Sequence, residues 1–224
     1  MVTVHHLNNS RSLRVLWLLE ELGIPYEVRH YQRNTRTMFA PESLRKIHPL
    51  GKSPVITDGE LTLAESGAII EYLIERYGNG RMAPPVGSAA RPRYVYWLHY
   101  AEGSLMALLV TKLVFGRLKT VKAPFFVKPV IKAIVAKVNA GYLEPQLRQH
   151  LLFLEGELAR GPWFAGEELT AADVQMSFPV EAAASRAGLG DCPRLKAWLE
   201  RVHARPAYRR ALEKGGPFEV IPVD

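Results

Sequence analysis

The stretch from His48 to Ile70 constrains the fold of this chain more than any other. Pro54 stands directly before Val55-Ile56-Thr57, a run that reads as a strand. Proline has no N–H to give to a sheet ladder, so it belongs at a strand start or a kink. Asp58-Gly59 separates that run from Leu61-Thr62-Leu63. Both turn residues tolerate positive φ, which predicts a hairpin closed by a type I′ turn. Glu65-Ser66-Gly67 then leads into Ala68, Ile69, Tyr72, Leu73, Ile74 and Tyr77 at helical spacing, with Ser66 expected as the N-cap. Polar groups would thus gather at one end of a sheet. Backbone beside Pro54 could pair with an extended peptide, a helix N-terminus at Ser66 would attract a carboxylate, and Lys52 adds positive charge. Such an end suits a small peptide carrying carboxylates at both termini.

The flanking sequence supplies the rest of a domain. Val2 to His6 reads as a strand, Asn8-Asn9-Ser10 as a loop and cap, and Ser12 to Leu22 as a helix stopped by Gly23. Ile24-Pro25 restarts the chain in an extended state, so Tyr26 to Tyr31 is expected as a strand parallel to the first. Pro41 to Ile47 is a short helix, which completes a βαβαββα order. Gly78-Asn79-Gly80 through Ser88 is turn-rich. This divides the chain into a first domain at 1–80, a linker at 81–92 and a second domain at 93–224.

The second domain lacks strand alternation and is expected to be all helical. A long helix opens at Pro92-Arg93 with Tyr94, Trp97, Leu98, Ala101, Leu105 and Leu108 on its apolar stripe. Further helices are expected over 140–158, 171–187 and 195–202, with a short terminal turn at 208–214. Thr170 and Asp173 have capping-box spacing and read as folding residues, with a cap loss costing about 0.5–2 kcal/mol.

The Gly51-Lys52-Ser53-Pro54-Val55-Ile56 and Glu65-Ser66-Gly67-Ala68-Ile69 motifs, together with the segment from His5 to Leu22, resemble the glutathione-binding half of the cytosolic glutathione S-transferases. The likeness covers nearly all of the first 78 residues, and it is strongest to the bacterial and fungal branch whose first loop reads Leu-Asn-Asn-Ser-Arg-Ser. It implies a thioredoxin-like domain followed by a helical one, and an enzyme that makes the glutathione thiolate for attack on a hydrophobic electrophile or a peroxide. Thiol reduction is a related activity. A non-catalytic glutathione-binding or protein-interaction module on the same fold is the alternative.

The resemblance also implies roles residue by residue. Ser53, Pro54 and Val55 clamp the cysteinyl part, with the Ser53–Pro54 bond cis; Glu65 and Ser66 take the γ-glutamyl end; Lys52, with His48 second, faces the glycine carboxylate. Aligning Arg14-Val15 with serine-type members puts Asn9 at the catalytic position, with Ser10 and Ser12 as nearby hydroxyls. Asparagine donates a hydrogen bond but is not a base. His6 stands where tyrosine-type members carry their tyrosine, and Tyr94, Trp97, Tyr100 and Glu102 are candidates for the acceptor pocket. Glutathione is the expected co-substrate, with no metal, and a homodimer the expected assembly.

Composition bounds these readings. The 224 residues are 48% apolar, enough for one or two real cores, and no apolar run approaches 18 residues, so no transmembrane segment is expected. Cys192 is the only cysteine, which rules out an internal disulfide framework and fits a cytoplasmic setting. The net charge of +7 is concentrated between Lys112 and Lys137, where no acidic residue falls. That run reads as a solvated face, and the phenylalanines in it are not interleaved as a nucleic-acid platform requires, so no nucleic-acid partner is expected.

Overall fold

The structure, a computed structural model, describes residues 1–220. Strand β1 (Val2–Leu7) is followed by helix α1 (Ser12–Leu22), strand β2 (Tyr26–Tyr31), the short helix α2 (Glu42–Arg45), strands β3 (Val55–Asp58) and β4 (Leu61–Ala64), and helix α3 (Ser66–Tyr77). The sheet order is β2-β1-β3-β4. β1 and β2 are parallel with Val4 opposite Val28, and β3 runs antiparallel to β1 with Ile56 opposite Val4. This is the expected thioredoxin-like arrangement. Val15, Leu16, Trp17, Leu18 and Leu19 are all fully buried, because α1 is packed between the sheet and neighbouring helices rather than on one face only.

Two local expectations shift by one residue. Asp58 is the last residue of β3 and pairs with Leu61, so the turn is Gly59-Glu60 and positive φ falls on Gly59 (φ 60) alone. That is the pattern of a turn with one left-handed central residue, not two. The Asp58 carboxylate is held in the sheet because it accepts the hydroxyls of Tyr72, at 2.9 Å, and Tyr77. Ser66 is the first residue inside α3 rather than its cap; Glu65 precedes it at φ 72 and makes no side-chain cap bond.

The second domain is helical throughout. One continuous helix runs as α4 (Arg91–Tyr100), a π-helical segment (Ala101–Met106) and α5 (Ala107–Leu118); a second runs as α6 (Lys128–Val138), a π-helical segment (Asn139–Leu143) and α7 (Glu144–Glu157). Arg91–Leu118 is long and apolar enough to match a membrane span by length and composition. That narrows the sequence reading, but Tyr94, Trp97, Leu98, Ala101, Leu105 and Leu109 of this helix pack in the protein core.

The central helix is α8 (Ala171–Arg186), buried along almost its whole length. Its capping box is formed as expected, and it reaches further than a cap. Asp173, fully buried, accepts from Thr170 N and Thr170 Oγ1 at 3.1 Å each, from Phe164 N at 2.8 Å and from Trp198 Nε1 at 3.3 Å. Helix α9 (Pro193–Ala204) follows. The residues expected to form a terminal turn instead form a ten-residue helix, α10 (Pro206–Gly215), which packs on α1 of the first domain. Arg205 Nη2 meets Glu21 at 2.8 Å, while Arg210 and Lys214 meet Glu20 at 2.7 and 2.6 Å.

Candidate active site

A cleft of about 590 Å³ opens where the sheet meets the long helix, within the range of about 300–1,000 Å³ usual for small-molecule sites. One wall is Lys52, Ser53, Pro54, Glu65 and Ser66, with His48 beside them and Asn9 and Ser10 at the start of α1. The structure therefore brings together nearly all of the residues singled out for glutathione and its thiol; Val55, fully buried in β3, stands outside the lining. The Ser53–Pro54 bond is cis. Gly51 makes this wall possible. Its φ is 55, a region that favours glycine, and a Cβ there would lie 2.7 Å from Arg45 Cγ, so a larger residue has to displace that side chain.

Arg14 organises the opposite side. Only 1% exposed, it donates to Ser66 Oγ at 2.9 Å, to Glu102 Oε1 at 2.5 Å and to the Gln175 carbonyl at 2.6 Å. Pro179 lies inside α8 four residues after Gln175 and offers no N–H, so the helix cannot satisfy that carbonyl itself. Arg14 fills the vacancy. Because Ser66 Oγ accepts from Arg14, its own proton is left to donate into the cleft. The N-terminal N–H groups of α3 point the same way. Glu102 lines the cleft as expected, but its carboxylate is committed to Arg14 and to Arg11 Nε at 3.1 Å, and these cations hold it below the usual carboxylate range against the effect of burial.

The loop after β1 distinguishes its polar residues. Asn9 sits at φ 50, a conformation asparagine tolerates, and its Oδ1 accepts the N–H of Glu219 at 3.0 Å. Its Nδ2 is thereby the group available to a ligand. Ser10 is buried and lies 2.7 Å from Ser12 Oγ and 3.3 Å from Ser53 Oγ. Ser12 Oγ in turn lies 2.9 Å from His6 Nδ1, and Ser53 Oγ donates to the His5 carbonyl. The His6 imidazole is pushed down to about 4 by burial and then by His30, and is bonded to the Gly215 backbone, so it is neutral near pH 7 and serves Ser12 as an acceptor. The single Ser10 proton is consumed inside this network.

The acceptor-side expectations need correction. His6 is buried beneath the loop and does not reach the cleft. Tyr94, Trp97 and Tyr100 face the interior of the helical domain: Trp97 packs on Phe164 with ring centroids 4.8 Å apart, and the Tyr100 hydroxyl bonds His150 Nδ1. The face of the long helix that meets the cleft is Glu102, Met106, Val110, Leu113 and Arg117. At about 3.6 residues per turn, these positions form a side of the helix separate from the one that carries Tyr94, Trp97, Ala101 and Leu105 into the core. Also missed were Arg11, Arg33, Phe178 and Arg186, which come from segments far apart in sequence; the regular spacing of 102, 106, 110, 113 and 117 was the one readable signal. Arg117 shows that the Lys- and Arg-rich run is not wholly a solvated face. Among the described residues no group of three or more His, Cys, Asp or Glu is placed to hold a metal.

A thioredoxin-like domain is followed by a helical one, and a cation-lined cleft lies where a cis-proline meets a helix N-terminus. Comparison with known proteins gives the family. Models of the N-terminal and C-terminal domains of glutathione S-transferases match residues 1–75 and 121–206. Glutathione S-transferase 3 of Schizosaccharomyces pombe is 38% identical over 216 residues, covering 96% of this chain and 88% of the relative. A crystal structure of a glutathione S-transferase from Actinobacillus pleuropneumoniae shares 36% identity with a TM-score of 0.83, covering 98% and 95% of the two chains. A glutathione transferase family member from Pseudomonas fluorescens, solved with two glutathione bound, shares 26% identity with a TM-score of 0.74, covering 95% and 92%. The chain belongs to the glutathione S-transferase family, and is an enzyme of that family.

Proposed function

We propose that this protein binds glutathione along the wall from Lys52 to Ser66 and activates its thiol as the thiolate for transfer to an electrophile. The observation that carries this reading is the gathering of Lys52, Ser53, Pro54, Glu65 and Ser66 on one side of a single cleft, with Asn9 and the start of α1 at its end. Ser66 and the α3 N-terminus take the γ-glutamyl carboxylate, and Glu65 its ammonium group. Lys52 meets the glycine carboxylate. His48 is the second group there: its Nδ1 is buried and has no partner among the described residues, a cost that a ligand would relieve. Ser53 and Val55 hold the cysteinyl backbone.

Glutathione's thiol ionises near the cysteine reference of about 8.5, and lowering that by two units requires about 2.7 kcal/mol of preference for the anion. A hydrogen bond to the charged sulfur is worth about 1.5–3 kcal/mol, and a helix N-terminus adds about 0.3–1 kcal/mol. We assign the donor role to Asn9 Nδ2. Ser10 has its proton engaged elsewhere, and α1 points its N-terminus at the same place. The Asn-Asn-Ser loop supports a position in the bacterial and fungal branch, and a cytoplasmic homodimer is the setting that the reading implies.

Titration calorimetry with glutathione tests the binding half. Micromolar to millimolar binding, weakened at least tenfold by Glu65→Ala and by Ser66→Ala, is expected. Affinity unchanged in both variants would sink the assignment.

A further inference from the structure

We propose that the acceptor half of the cleft takes an electrophile with an apolar body and an anionic group, a carboxylate, sulfonate or phosphate; the inference rests on the glutathione reading above. Met106, Val110, Leu113 and Phe178 provide the apolar surface for the body. Around it stand Arg11, Arg33, Arg117 and Arg186. These guanidinium groups are near enough to act on one another. Burial first, and then the charges of Arg11 and Arg117, hold both Arg33 and Arg186 below the usual arginine value.

Among the described residues, the carboxylates of the lining do not balance the charge of Arg11, Arg33 and Arg117. Arg11, Arg33, Arg45, Lys52 and Arg117 line the cleft there against Glu65 and Glu102. Glu102 is shared between Arg11 and the buried Arg14, and Glu65 belongs to the glutathione wall. A glutathione thiolate carries two carboxylates, one ammonium and the sulfur charge, so its net charge is smaller than the cation excess. Arg33 spends its hydrogen bonds on the backbone carbonyls of Asn8, Asn9 and Met38, which neutralise nothing. Arg117 lies exposed at the mouth, the last residue of the stripe on α5 that faces the cleft, and makes no ion pair among the described residues. A neutral electrophile would leave the repulsion among these groups in place. An anionic one relieves it, and a planar guanidinium matches a carboxylate or phosphate edge.

The test compares a chlorodinitrobenzoate with its uncharged methyl ester. In each reaction the glutathione sulfur forms the carbon–sulfur bond, chloride leaves with its electron pair, and the thiol proton passes to solvent. Each kcat/KM is divided by the uncatalysed rate with glutathione, which removes the difference in ring reactivity. At low ionic strength the acid is expected to exceed the ester by about tenfold, with the preference shrinking as salt is added. Arg117→Gln is expected to lower the acid's value about three- to fivefold through KM, and to lower the ester's value less; Arg117→Lys is expected to retain most of the preference. Equal use of acid and ester, or an equal loss on both in Arg117→Gln, overturns the inference. Glutathione binding is measured calorimetrically on the same samples. Intact binding without acid preference refutes the inference alone, whereas no binding refutes the underlying reading and the inference with it.

Discussion

Arg14 and Pro179 make a prediction that joins stability to the ligand site. In Arg14→Met the Gln175 carbonyl loses its donor, and Pro179 prevents the helix from replacing it. Leaving a buried acceptor unpaired costs about 1–3 kcal/mol. Ser66 loses its donor as well. Glu102 keeps Arg11 and is about a third exposed on its side chain, so its share is small. Losing these bonds is therefore expected to destabilise by about 2–4 kcal/mol, the unpaired carbonyl supplying most of it, and to weaken glutathione binding because Ser66 is no longer oriented. Pro179→Ala alone supplies an N–H to a carbonyl that Arg14 already satisfies, so its effect is small. Combined with Arg14→Met, the new N–H closes the helix bond, and about 1–2 kcal/mol is recovered. Urea unfolding of the four proteins gives the coupling energy. A coupling near zero would refute the claim that Arg14 substitutes for the N–H that Pro179 lacks, and recovered stability with glutathione affinity still weak would separate the carbonyl bond from the Ser66 bond.

Two further outcomes follow from the same geometry. Burial pushes the Asp173 carboxyl up to about 6 from its ordinary 3.8, despite the donors around it. A raised folded-state value means that this contribution is fully present below the unfolded value and is lost as pH rises through about 6. The stability difference between wild type and Asp173→Asn is thus expected to shrink by about 2 kcal/mol between pH 4 and pH 7, measured by urea titration at each pH; a difference that is constant or grows with pH contradicts it. Gly51→Ala is expected to destabilise by about 1–2 kcal/mol from its left-handed backbone alone, with the contact to Arg45 added and glutathione affinity reduced; an unchanged Tm would refute the close-approach argument.

What could be read from the sequence was local. The strand after Pro54, the hairpin, α1 with its stop at Gly23 and the Thr170–Asp173 box each depend on a few neighbouring residues, and each formed. The errors came from non-local causes. The hairpin turn moved by one residue because tyrosine hydroxyls from α3 hold Asp58 in the strand. The residues after Pro206 became a helix because α1 offers them a surface and carboxylates to pair with. The depth of Asp173 in the core was invisible in a four-residue motif. The aromatic stripe of the long helix was correctly read as apolar, but it packs in the core, and a separate side of the same helix meets the cleft. The arginines of the cleft come from positions 11, 33, 117 and 186, which no spacing rule connects.

The central claim is that Asn9, at the start of α1, stabilises the glutathione thiolate. Ultraviolet titration of the thiolate band of bound glutathione, with Asn9→Ala and Ser10→Ala in parallel, tests it most directly. A bound-thiol pKa well below about 8.5 that returns toward this value in Asn9→Ala, and stays low in Ser10→Ala, is the predicted result. A low pKa lost only in Ser10→Ala would move the role to Ser10, and saturable binding with an unshifted pKa would contradict thiol activation altogether.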